Sequence, residues 1–72
     1  MYTTVESLEI KGSYYYITLN DGAGLYTVRQ HGYDNFISLL KRPEIDCSKN
    51  IHITKNGHRF SWLVNLKMNL GL

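Results

Sequence analysis

Residues 5–19, VESLEIKGSYYYITL, decide the fold, because a single glycine in their middle fixes which way every flanking side chain faces. In Lys11-Gly12-Ser13-Tyr14, Gly12 occupies the first centre of a two-residue loop, where a type II′ turn needs positive φ. That turn sets Lys11 opposite Tyr14, Ile10 opposite Tyr15, Glu9 opposite Tyr16, Leu8 opposite Ile17 and Ser7 opposite Thr18. Leu8, Ile10, Tyr15, Ile17 and Leu19 then share one side. Glu9, Lys11, Tyr14, Tyr16 and Thr18 share the other. The alternation agrees with a register chosen from the turn alone, so pattern and turn chemistry support one hairpin.

A third strand follows Asn20-Asp21-Gly22-Ala23-Gly24, which closes either as a two-residue Asp-Gly turn or as a four-residue loop. The two differ by a two-residue slide that leaves side-chain parity unchanged. Tyr26 and Val28 join the apolar side, and Leu25, Thr27 and Arg29 the other. A glycine-rich loop cradles phosphate when a helix begins directly after it, and here a strand begins instead.

Residues 34–42 read as a short helix, with Asp34 as N-cap, Phe36, Ile37 and Leu40 on one face and Leu39 beside them. Lys41 and Arg42 complement the C-terminal dipole, and Pro43 ends the helix. About nine residues of isolated helix are unstable in water, so the apolar face must dock, most simply on the sheet. Residues 43–50 are expected to be a polar return.

The stretch Thr54-Lys55-Asn56-Gly57-His58-Arg59 carries the Asn-Gly pair favoured in type I′ hairpins. It pairs Lys55 with His58, Thr54 with Arg59, Ile53 with Phe60, His52 with Ser61 and Ile51 with Trp62. Ile51, Ile53, Phe60, Trp62, Val64, Leu66 and Met68 then share one side. His52, Thr54, Arg59, Ser61, Asn65 and Lys67 share the other, with Leu63 the apolar exception. The expected fold is α+β: one domain over residues 1–72, an antiparallel sheet of about five strands in the order β-β-β-α-β-β, and one short helix packed on one face.

Composition narrows the function classes. A 72-residue chain has room for one small core, which rarely supplies more than ~3–5 kcal/mol, and a disulfide, a metal or a second copy often supplements such cores. Cys47 is the single cysteine, so no internal bridge forms, and Cys47 with His52 lacks the further ligands of a zinc site. No metal or cofactor is expected. The N-terminus lacks a basic region followed by an apolar run, and no stretch approaches the ~20 apolar residues that span a bilayer, so a cytoplasmic protein without membrane attachment is expected. All six acids lie in residues 1–46, whereas residues 47–72 hold Lys49, Lys55, Arg59 and Lys67.

Two binding functions compete for the uncovered side, which would display Tyr14, Tyr16, Arg29, His52, Arg59 and Lys67. In the first, the chain is a small regulator, adaptor or inhibitor of the kind phages and plasmids encode. It docks on a protein partner through these rings and cations, since Tyr and Arg dominate contact energetics. In the second, the basic C-terminal hairpin reads DNA, with a tip of Lys55, Asn56, His58 and Arg59 and with tyrosines stacking on bases. The plain alternative for the tip is an ordinary solvated turn, and tyrosines on a wet sheet face also follow from strand propensity. Catalysis is not expected, because His52 and His58 fall on opposite sides and no nucleophile stands beside an oriented base. A homodimer is a third expectation, from the small core and from Leu25 and Leu63 facing outward.

Overall fold

The computed structural model describes residues 3–55 and 57–62, the side chains of 59–62 excepted. The chain runs β1 (Thr3–Lys11), β2 (Tyr14–Asn20), β3 (Leu25–His31), α1 (Tyr33–Leu40), β4 (Ile45–Asp46), β5 (Ile51–Lys55) and β6 (His58–Trp62). Among the described residues the main sheet has five strands in the order β3-β2-β1-β5-β6, and the two-residue β4 pairs with the start of β1.

Both hairpins take the registers that their turns dictate. Lys11 pairs with Tyr14 and Leu8 with Ile17, while Lys55 pairs with His58 and Ile51 with Trp62. Gly12 and Gly57 have φ of 59° and 79°, the sign their turns require. Between β2 and β3 the longer alternative is realised: Asn20 pairs with Leu25, so residues 21–24 form a four-residue loop. The amides of Gly22 and Ala23 donate to the side chains of Asn20 and Asp21, which holds the loop's backbone.

The purely antiparallel sheet expected from sequence is corrected, because β5 lies parallel to β1, with Leu8 opposite Ile53 and Ser7 opposite His52. β3 already runs in the direction of β1, and β5 repeats it. Residues 32–50 therefore form a crossover containing α1 and β4, long enough for a parallel connection. The crossover sets the two apolar stretches of β1 and β5 side by side at the middle of the sheet and lays α1 over one face. Val5, Leu8, Ile17, Leu19, Ile51 and Ile53 from the sheet pack with Phe36, Ile37, Leu39 and Leu40 in one buried cluster. The Tyr15 ring stacks on Phe36 at 4.4 Å and extends that core toward Tyr33.

Three local features depart from expectation. The helix begins and ends earlier than residues 34–42: its N-cap is Gly32, at φ 86° and ψ 155°, and Asp34 sits in the first turn as a dipole-compatible acid without capping. Gly32 occupies a backbone region open almost only to glycine. Its amide donates to the Ser13 carbonyl (2.7 Å) while its carbonyl accepts from Phe36 (3.2 Å), so one residue ties the first turn, the end of β3 and the helix together.

A bulge between Val5 and Ser7 shifts the β1–β2 register, so that Val5 faces Leu19. Strict alternation would put Val5 on the side of Glu9. The bulge instead brings Val5 and Leu8, three residues apart, into the same core. Glu6, displaced by it, takes an ion pair with Lys49. The return over residues 43–50 is not wholly polar either, because Ile45 and Cys47 are both buried against the core.

Candidate binding face

The sheet face opposite α1 is built in rows set by strand pairing. One row runs Arg29, Tyr16, Glu9, Thr54 across β3, β2, β1 and β5, and the next runs Thr27, Thr18, Ser7, His52. Alternation carries these residues away from Ile17, Leu8 and Ile53, whose side chains are buried under the helix.

Tyr14, Tyr16 and Arg29, expected together from sequence, do come together. The Arg29 guanidinium carbon lies 5.1 Å from the centre of the Tyr14 ring, and the Lys11 ammonium lies 5.4 Å from that of Tyr16. Lys11 also approaches Glu9 at 3.4 Å, so the cluster alternates rings with charges of both signs. Each ring–cation contact at an exposed site is worth about 0.5–1 kcal/mol.

His31, which the sequence reading left out of this face, is part of it, with its ring 4.7 Å from that of Tyr14. The signal was the loop between β2 and β3: only the four-residue closure sets His31 opposite Tyr14, and the two-residue closure would slide it past the end of β2. Leu25 stands at the other end of β3, 66% exposed, as the outward parity predicts.

His52 is exposed on β5, one strand beyond Ser7, and lies two strands and two rows away from Tyr14. The register sets Arg59 opposite Thr54, but its side chain lies outside the described residues, as do Asn56 and Lys67 altogether. Of the tip, Lys55 and His58 are described and exposed, paired across the turn.

At the rim of the sheet, the Glu6 carboxylate accepts two hydrogen bonds from Lys49, the longer at 2.6 Å, and one from Thr4 at 3.2 Å. The hydrogen bond from the Lys49 ammonium is the main cause holding the Glu6 carboxyl below its ordinary pKa, against a smaller opposing effect of burial.

Among the described residues no three His, Cys, Asp or Glu side chains converge on a possible metal position. No helix among them is long and apolar enough to cross a membrane. Comparison of the chain with protein-family models, characterised proteins and solved structures finds no match.

Proposed function

We propose that this chain is a small non-catalytic binding module, acting in the cytoplasm as a regulator, adaptor or inhibitor of a protein partner. The contact surface is the face carrying Tyr14, Tyr16 and Arg29, with His31 and Lys11 completing it. The observation that carries this reading is the interlocked ring–cation cluster on a sheet face that no element covers among the described residues.

Binding through flexible side chains costs about 0.5–1.5 kcal/mol for each one immobilised. Here Arg29 and Lys11 are already drawn over rings, and a rigid strand pair holds the rings themselves. The face is thus partly ordered before any partner arrives. It mixes charges of both signs, with Lys11 and Arg29 beside Glu9, which suits an amphipathic protein surface better than the uniform charge of a phosphate backbone. The lone Cys47, buried, needs no oxidising compartment.

One observation favours nucleic acid as a second reading: Lys55 and His58 project at the hairpin tip of an acid-free C-terminal third. The two readings separate on one experiment. The tagged chain is recovered from cells with and without nuclease, and the affinity of the retained component is measured against salt. The first reading expects a defined protein to survive nuclease, with an affinity that changes little with salt and falls by about thirtyfold in Tyr16→Ala, the ~2 kcal/mol of a contact anchor. Loss of the component on nuclease treatment, or a steep salt slope flattened in Lys55→Ala, would transfer the function to nucleic acid.

A further inference from the structure

We propose that β3 is a dimerisation edge, pairing antiparallel with the β3 of a second copy about a two-fold axis through Val28. This inference concerns self-association and stands apart from the identity of any partner.

The direction of the backbone groups along β3 can be derived. The Gly32 amide bonds to the Ser13 carbonyl, and the Asp21 amide to the Gly24 carbonyl, which fixes the bonded parity of the β2–β3 ladder at both ends. Antiparallel strands alternate bonded and non-bonded pairs. The pairs Tyr14–His31, Tyr16–Arg29, Thr18–Thr27 and Asn20–Leu25 are therefore the non-bonded ones. It follows that the amides and carbonyls of Leu25, Thr27, Arg29 and His31 aim away from β2. The His31 carbonyl supports this, since it accepts from the Asn35 side-chain amide at 2.7 Å rather than from the ladder. Beyond Leu25, Thr27 and Arg29 no strand lies on that side among the described residues.

Natural sheets guard such an edge with proline, charged side chains and lysine above all, a bulge or a very short strand. β3 has seven residues, LYTVRQH, without proline or lysine, and its pairing with β2 runs without a register shift. Leu25 and Tyr26 stand 66% and 42% exposed along it.

The occupant follows from self-complementarity. A two-fold axis at Val28 overlaps the whole strand, setting Thr27 against Arg29, Leu25 against His31 and Tyr26 against Gln30 of the other copy. Arg29 is the only charged residue of β3, and this register keeps it from facing its own copy. The guanidinium is moreover drawn back over Tyr14. Val28 bonds toward β2, so the two Val28 residues meet as a non-bonded pair with their side chains close. The dimer joins two sheets edge to edge, with the two Arg29 residues at diagonal positions about the axis and the two Tyr14 rings toward opposite ends of the seam.

Sedimentation equilibrium from low micromolar to near-millimolar chain should show a reversible dimer. Thr27→Pro removes an outward amide without touching the β2 ladder, so it should leave the circular dichroism unchanged and weaken the dimer by about tenfold or more. Val28→Cys should cross-link under mild oxidation, because Cα atoms in a non-bonded pair stand about 4.5 Å apart, within disulfide reach. Tyr26→Cys should not. A chain that stays monomeric throughout, a dimer indifferent to Thr27→Pro, cross-linking through Tyr26→Cys in place of Val28→Cys, or an edge filled only by a strand of a different protein would each overturn the proposal.

Discussion

Replacing Gly32 by alanine isolates the one backbone conformation on which the junction of hairpin and helix depends. At φ 86° and ψ 155°, Gly32 lies in a region that costs an ordinary residue about 1–3 kcal/mol. A Cβ placed there meets no atom within 4 Å, so no steric clash adds to that strain. The effect is purely one of backbone geometry. Set against the ~3–5 kcal/mol typical of so small a core, it removes from about a fifth to all of the stability. With a urea dependence of about 1 kcal/mol per molar, the midpoint of unfolding should fall by ~1–3 M. Gly24→Ala is the matched control, since its Cβ is equally unobstructed and its φ lies outside the left-handed range. That change should be neutral or stabilising by about 0.4–1 kcal/mol through the unfolded chain. Equal midpoints for the two variants would refute the argument, because they would mean that Gly32 does not hold the conformation that joins β3 to α1.

Other outcomes follow from burial and charge. Ile17, fully buried between the hairpin and α1, should cost about 2–5 kcal/mol as Ile17→Ala and about 0.5–1.5 as Ile17→Val, so chemical denaturation should find the first largely unfolded and the second folded. Because the Glu6 carboxyl titrates below its unfolded value of 4.5 in the folded chain, its contribution is present above that value and lost as pH falls through the folded pKa. The side chains of Lys49 and Glu6 are 47% and 22% exposed, so screening limits the pair to under ~1 kcal/mol. Glu6→Gln should accordingly flatten the acid limb of a stability–pH curve and leave the limb above neutrality unchanged. The Cys47 thiol, 3% exposed, should react with a disulfide reagent at the rate of chain opening, and the rate should rise with urea.

Much of this fold is legible in the sequence because its turns are chemically explicit. Gly12 and the Asn56-Gly57 pair specify two registers, and every pair in those hairpins from Ser7 to Thr18 and from Ile51 to Trp62 follows. Strand order is not legible in the same way. Alternation tells which side a residue takes, and it is silent on which strand lies beside which. The parallel meeting of β1 with β5 depends on a crossover whose length permits it without announcing it. The bulge at Glu6 is equally hidden, since VESLEI alternates imperfectly and only the burial of Val5 and Leu8 together reveals the extra residue. Gly32 is legible without geometry: a glycine between the polar end of a strand and an apolar helical pattern is a junction signal, although Asp34, two residues on, carries the commoner N-cap side chain.

For the candidate face, parity puts Tyr14, Tyr16 and Arg29 on the side away from Phe36, where the structure has them. His31 is not legible, because its partner depends on a loop length that the sequence leaves open. The ring–cation contacts lie beyond any pattern, because they depend on rotamers and not on spacing.

The most direct measurement is a residue-resolved map of contact, by cross-saturation from the nuclease-resistant partner onto isotopically labelled chain. The proposed function predicts signal loss centred on Tyr14, Tyr16 and Arg29, with Tyr15, Ile17 and Phe36 spared. Loss centred on the helix side, or on Lys55 and His58 alone, would contradict it.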